Sequence, residues 1–272
     1  MPELPEVETV ARGLAQRVAG DTIESVWIGR KPEPLKSPAR QIAATLEGSR
    51  IASVRRVGKH IVVDLQQGKK QLSGQWVVHL GMTGSLVVTK PDEQVVKHTH
   101  LIAKLASGRE LRFVDPRRFG RLSVHRAENV FRAAGSEPLD VEFEAFLRLF
   151  RGRKTPIKSA LLNQKLLSGV GNIYADEALI RSGIRPRRRA AKVTGDELRK
   201  LYDALRQVLR EAITAGGSSI SDYVNADGGE GLFQFDHRVY GREGEACLTC
   251  RTPVKRVVIA GRSAHYCPRC QR

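Results

Sequence analysis

The sequence is poor in cysteine, methionine, aromatic rings and acidic residues, and each shortage excludes something. Only four cysteines occur in 272 residues, all between positions 247 and 270, so no disulfide framework can hold the whole chain. Aromatic residues make up 6%, too few for the stacked-ring platforms typical of single-strand nucleic-acid binders. No apolar run approaches the roughly 18 residues of a membrane span. No internal repeat or low-complexity tract is present, so collagen-like and solenoid architectures are excluded. The first ten residues, MPELPEVETV, carry three glutamates and no basic apolar leader, so we expect no secretory signal and a cytoplasmic location.

Acidic residues number 29 against 46 Lys and Arg, a net charge of +17. The excess is spread over the fold. Residues 1–130 hold 21 basic and 13 acidic residues, a net +8, and residues 131–272 hold 25 and 16, a net +9. A soluble chain with this imbalance suits a polyanionic partner, and the scarcity of rings favours duplex DNA over single strands. With 41% hydrophobic residues, the chain can still bury a substantial core.

The cysteines form C-x2-C, sixteen intervening residues, then C-x2-C: Cys247, Cys250, Cys267 and Cys270. Each pair presents two thiolates from one knuckle, and two knuckles close a tetrahedral zinc site. A four-thiolate set leaves no open position, so one structural Zn2+ is expected. Between the pairs, VKRVVIAGRSAHY reads as strand, Gly261-Arg262 turn and strand, with Arg262 at an exposed tip.

Organisation follows from periodicity. Val7, Val10, Ala11, Leu14 and Val18 recur at helical spacing, with Pro5 suited to a first turn. Short apolar runs broken by Gly and Pro follow, predicting a sandwich or barrel-like β domain. Past a linker at 131–138 the period becomes helical. Phe143, Phe146, Leu147 and Phe150 mark one helix, and Thr155-Pro156 is expected to cap another through SALLNQKLL. Asn172 opens a third helix, and Thr194 with Glu197 caps a long fourth.

Pro2 is the chemically unusual residue. Removal of Met1 exposes a secondary α-amine with a pKa near ~7.7–8, so a nucleophile is available near neutral pH without the desolvation a lysine needs. Glu3 and Glu6 lie within one turn of it.

Laid in order, PELPEVET at the N-terminus, GKH at 58–60, HLGMTGSL at 79–86, DPRRFG at 115–120, TPIKSALLNQKLLSGVGNIYADE at 155–177 and the terminal CxxC pairs resemble the bacterial formamidopyrimidine-DNA glycosylase family over essentially the whole chain. The resemblance implies an α+β multidomain fold. It comprises an N-terminal helix plus β-sandwich catalytic domain (1–130), a helix-two-turn-helix DNA-binding domain (139–228) and a C-terminal β-hairpin zinc finger (236–272). It also implies a nucleoid-associated base-excision repair enzyme, and the two-domain reading, with no heptad or long exposed apolar face, fits a monomer. Such an enzyme flips 8-oxoguanine and formamidopyrimidines out of duplex DNA, excises them, and cleaves the strand at abasic sites by β,δ-elimination.

At matching positions Pro2 would be the Schiff-base nucleophile and Glu3 the acid that opens the sugar. Lys59 would lie close to the lesion and its phosphate, and Arg262 would grip phosphates and assist δ-elimination. Met82, Arg117 and Phe119 match side chains inserted into the helix where the base was extruded. Read alone, Met82 and Phe119 would be core residues. Arg118 would pair with Asp115. His98, Arg117, Arg153, Lys158 and Asn172 match DNA contacts, mostly to phosphates, with His79 and Tyr240 as further possibilities of that kind. The loop of Ser218, Ser219, Ile220, Ser221, Asp222 and Tyr223 matches a segment that folds over the extruded base. Two rival readings share parts of this pattern: the sister endonuclease VIII type, against which Leu4 and the Met/Arg/Phe set argue, and a catalytically silent zinc DNA-binding protein.

Overall fold

The first apolar stripe becomes a buried helix face. In the computed structural model, which describes residues 1–68, 72–219 and 229–272, Val7, Val10, Ala11, Leu14 and Val18 line the inner side of α1 (Leu4–Val18). Pro5 sits in its first turn, where the missing N–H has no helical partner to lose. β1 (Ile23–Ile28) follows, then a helix that the strand-rich pattern did not predict, α2 (Ala39–Leu46). Its signals are local: Pro38 stands immediately before it, and Ile42 and Leu46, four residues apart, are both fully buried.

Seven strands complete this part: β2 (Arg50–Val57), β3 (His60–Gln66), β4 (Gly74–His79), β5 (Ser85–Thr89), β6 (Thr99–Leu105), β7 (Glu110–Val114) and β8 (Arg121–Arg126). Together with β1, and among the described residues, they form two antiparallel four-stranded sheets, ordered β2-β3-β4-β8 and β1-β6-β7-β5. One apolar cluster joins both sheets to α1 and α2, with Trp76 and Phe113 at zero exposure.

The chain divides into two compact units, Met1–Arg132 with Gly216–Leu232, and Ala133–Ala215 with Phe233–Arg272. The second contains α3 (Phe143–Phe150), α4 (Ile157–Leu161), α5 (Asn172–Ser182), α6 (Gly195–Thr214), β9 (Lys255–Ile259) and β10 (Arg262–Tyr266). Thr194 and Glu197 make the predicted reciprocal cap of α6. The helix expected through SALLNQKLL is shorter than predicted, and Thr155 does not cap it; Pro156 occupies that place. The chain leaves the helix because Gln164 staples the following turns. Its amide donates to Leu162 O and Val170 O (2.9 and 2.8 Å), and its Oε1 accepts from Gly169 N (3.0 Å). The hairpin turn also moves one residue from its expected place. Ala260 and Gly261 take the left-handed conformation, and Arg262 begins β10 opposite Ile259.

Gly216–Leu232 groups with the first unit. Part of the cause is one carboxylate: Glu6 Oε1 accepts the Ser218 N–H at 2.8 Å.

Candidate functional site

At the N-terminus, α1 gathers the predicted acid groups. Pro2 is buried, and Glu3 and Glu6 are 4% and 2% exposed. Glu6 Oε2 accepts from the Glu3 backbone N–H (2.8 Å) while its other oxygen holds Ser218. A single side chain thus fixes both the approach to Pro2 and the first residue of the predicted lesion loop. Ser219 follows, its hydroxyl accepting from Gly231 N at 2.9 Å. Ile220, Ser221, Asp222 and Tyr223 lie outside the described residues.

Lys59 occupies the β2–β3 turn after Gly58, whose φ of +60° suits glycine. It is 7% exposed, not the solvated surface charge that an isolated lysine in a turn suggests. Arg56 ties this turn to α1, donating to Gly58 O (3.0 Å) and to Glu8 (2.8 Å). Next on the same sheet, His79 pairs across strands with His60. Burial, followed by the nearby charges of His60, Lys59 and Arg121, lowers the His79 pKa to about 4, so the ring is neutral near pH 7. Its Nδ1 accepts the Gly81 N–H at 3.0 Å, which assigns His79 a turn-holding task.

That turn leads to Met82. A second loop, Asp115–Gly120, lies against it closely enough that a Cβ on Gly81 would meet Gly120 N at 2.5 Å. Asp115, with zero exposure, clamps the two loops. It accepts from Thr83 Oγ1 and from Gly120 N, both at 2.7 Å, and from Arg117 N at 3.3 Å. Arg118 turns away in a left-handed conformation and pairs with Glu33 at 2.9 Å, not with Asp115 as expected. Outside the clamp, Met82 and Phe119 are 39% and 49% exposed, and the Arg117 guanidinium lies 5.0 Å from the Phe119 ring. The two apolar side chains are therefore not core residues. His98 adjoins the assembly: its carbonyl accepts from Asp115 N (3.0 Å), and its own φ is +69°.

In the second unit, Arg153 is exposed, with its Nε donating to Leu149 O at 2.5 Å. Asn172 stands at the start of α5 and donates to Ser263 Oγ (3.2 Å), beside exposed Arg262. Lys158 is placed differently from its expected phosphate contact. The residue has zero exposure, and its Nζ lies 2.6 Å from Asp176 Oδ1 and donates to Ser263 O (2.5 Å). An ammonium sealed this way cannot reach a phosphate, so we do not retain that role for it. Tyr240 packs its ring 5.1 Å from that of His265, while its N–H, with those of Arg238 and Val239, donates to buried Glu177.

The four cysteine Sγ atoms lie within 4.8 Å of one another. Sulfurs around a tetrahedral zinc at about 2.3 Å stand about 3.8 Å apart, and the Cys247–Cys270 and Cys250–Cys267 pairs are separated by 3.9 and 3.4 Å. Hydrogen bonds from Thr252 bring the Cys250 thiol down to about 6, whereas burial, then its sulfur neighbours, push Cys270 up to about 12. Four thiolates cannot share so small a volume without a compensating cation, and the donor set fits Zn2+.

Comparison with known proteins agrees with this geometry. Residues 1–122 match the model of the formamidopyrimidine-DNA glycosylase N-terminal domain, residues 134–224 that of the formamidopyrimidine-DNA glycosylase H2TH domain, and residues 244–272 that of a zinc finger found in FPG and IleRS. The formamidopyrimidine-DNA glycosylase of Solibacter usitatus is 48% identical over the full length of both chains. The chain belongs to the formamidopyrimidine-DNA glycosylase family. Among solved structures, the MutM (Fpg) protein of Thermus thermophilus is 44% identical with a TM-score of 0.86, covering 99% of this chain and 98% of that one. A Lactococcus lactis Fpg mutant, solved with DNA containing Fapy-dG, has a TM-score of 0.90 at 32% identity, with all of both chains covered.

As a member of this family, the chain is a DNA-repair glycosylase and AP lyase with a structural zinc finger. Among the described residues, no helix is long and apolar enough to cross a membrane. Residue-by-residue reading missed the groups that hold the candidate residues of each unit in shape: in the first, Glu6 as a two-sided clasp, Arg56 behind Lys59 and Asp115 between the inserting loops; in the second, Asp176 under the hairpin. Glu6 and Asp115 lie inside the family's motifs, beside residues assigned to the site, and that proximity was their one signal. Asp176 lies inside the 155–177 motif as well, whereas Arg56 carried no such signal, because its partner Glu8 is 48 residues away.

Proposed function

We propose that the protein excises oxidised purines, 8-oxoguanine and formamidopyrimidines, from duplex DNA and then cleaves the strand at the resulting abasic site. The observation that carries this reading is the pair of clamped loops that hold Met82, Arg117 and Phe119 out in solvent. Exposed apolar side chains flanking a guanidinium suit a vacated duplex position. The ring and thioether wedge between base steps, and the cation donates to the orphaned base.

The chemistry assigned to this chain follows from its N-terminus. The neutral amine of Pro2, exposed by loss of Met1, bonds to C1′ while the glycosidic bond breaks, and the departing base takes the bonding electrons and a proton. Glu3 protonates the ring oxygen, the C1′–O4′ bond opens, and the amine loses its proton to give a cationic iminium. That electron sink acidifies C2′. Proton loss there expels the 3′ phosphate, and a second proton loss from C4′ expels the 5′ phosphate. Lys59 and Arg262 supply positive charge for the two leaving phosphates. Hydrolysis with water then releases the sugar fragment and regenerates the amine. His98, Arg153 and Asn172 are assigned to DNA contact, and Ser218 and Ser219 to the base of the loop that folds over the extruded base.

Borohydride reduces the iminium to a stable amine, so a covalent adduct on an 8-oxoguanine:cytosine duplex is the decisive product. We expect trapping that requires a processed N-terminus, and a much slower reaction on a thymine glycol duplex. Undiminished trapping in protein retaining Met1 would remove Pro2 as nucleophile. Preference for the pyrimidine lesion would favour the endonuclease VIII type, and binding without any adduct a silent binder.

A further inference from the structure

A two-stranded hairpin has two open edges, and β10 presents one of them inside the second unit. Residues 263 and 265 are two apart on a strand, so their backbone groups point to the same edge. Among the described residues that edge has no third strand, yet both groups are satisfied. Asp176 Oδ2 accepts the His265 N–H at 2.9 Å, and Lys158 Nζ donates to Ser263 O at 2.5 Å. The two side chains form a buried ion pair at 2.6 Å, with Asp176 at 0% and the Lys158 side chain at 1% exposure. Asn172 adds a bond to Ser263 Oγ. An ion pair here occupies the place of a neighbouring strand.

We propose that Lys158 and Asp176 are positioning residues that set the placement of Arg262, the residue immediately before the gripped segment. The charge of the pair does not touch DNA. Its task is directional: a carboxylate and an ammonium on α5 and α4 supply one acceptor and one donor at the spacing of a strand edge, fixing the register of β10 against both helices. Zinc pins the far end of the hairpin at Cys267, two residues beyond His265, and the ion pair pins the stretch next to the turn. Without the second anchor the hairpin keeps its metal but pivots. A displacement of about 1 Å at a catalytic cation is enough to cost about 10²-fold in the step it serves.

The inference rests on the role assigned to Arg262 above, so the test carries R262Q as a reference. D176N and K158M are compared with wild type on an abasic-site duplex. The readouts are bound zinc, borohydride trapping, the ratio of δ- to β-elimination product, and hydrogen exchange of the His265 amide. We expect both variants to keep one zinc and to trap, while the δ:β ratio falls at least about tenfold towards that of R262Q. The His265 amide should exchange fast in D176N. A wild-type ratio in D176N and K158M, with R262Q altered, overturns the positioning role. An unchanged ratio in R262Q itself overturns the assignment of Arg262 instead. If D176N loses zinc, K158M, which leaves the Asp176–His265 bond in place, decides alone. Loss of zinc in both makes the pair merely structural and also overturns the proposal.

Discussion

Replacing Asp115 by Asn separates the clamp from the residues it presents. The carboxylate accepts from Thr83 Oγ1 and Gly120 N at 2.7 Å on its two different oxygens, with Arg117 N at 3.3 Å. An amide of the same shape has one acceptor oxygen, so one of the two short bonds must face an NH2 group. Hydrogen bonds to a charged acceptor contribute about 1.5–3 kcal/mol each, and a stranded buried donor costs a similar amount. We take about 2–3 kcal/mol as the local loss. It falls on two loops rather than on the sheets behind them, and a domain with about 5–15 kcal/mol in hand remains folded. If Met82, Arg117 and Phe119 bind the vacated duplex position only while the loops are clamped, that energy is withdrawn from lesion binding. At about 1.4 kcal/mol per tenfold, affinity for an abasic-site duplex should fall about 30- to 150-fold, whereas affinity for undamaged duplex should change little. Fluorescence anisotropy on both duplexes at one salt concentration measures the difference. F119A should cost less when added to D115N than when made alone, because both act through the same loop. Equal losses on damaged and undamaged DNA, or full additivity, would refute the clamp.

The neutral, half-buried histidines His60 and His79 make the first unit acid-sensitive. The His79 pKa falls from about 6.5 in an unfolded chain to about 4 when folded, and burial also lowers His60. The unfolded state therefore binds more protons below pH 6.5, and stability declines as pH drops from there towards 4, by on the order of 3 kcal/mol for His79. Urea denaturation at pH 7.5 and 5.0 should show the decline, and H79Q should flatten it; an identical slope in H79Q would clear His79. Chelation of zinc or C267S should remove the hairpin and abolish tight duplex binding, while sheet structure in the first unit persists by circular dichroism. Full binding by metal-stripped protein would contradict a structural zinc.

Elements specified by local rules were legible without coordinates. The zinc ligands follow from covalent spacing, α6 from its Thr194–Glu197 cap, and β9–β10 from the strand–turn–strand reading of VKRVVIAGRSAHY between the CxxC pairs. Each needs only residues a few positions apart. Legibility failed where neither a cap nor a clean period marks the outcome. α4 stops early because Gln164 offers the backbone better partners than another helical turn, and α2 was hidden among strand signals. Apolar pattern assigned Met82 and Phe119 to the core, since periodicity measures what a residue prefers and not what its loop permits. Gly81 and Gly120 let the two loops approach, and Asp115 then holds both apolar tips outside.

The shortages that mark the sequence retain their meaning at the end. Four clustered cysteines determine a zinc site, and a deficit of acid determines a field that attracts DNA, because composition and short spacing survive folding unchanged. Which individual charges act is a tertiary matter. Lys158, read as a phosphate contact, is buried against Asp176, and Lys59, placed by resemblance close to the lesion phosphate, is buried in the β2–β3 turn. Burial converts a charge from a solvated contact into an oriented one, and contacts across tens of residues decide burial.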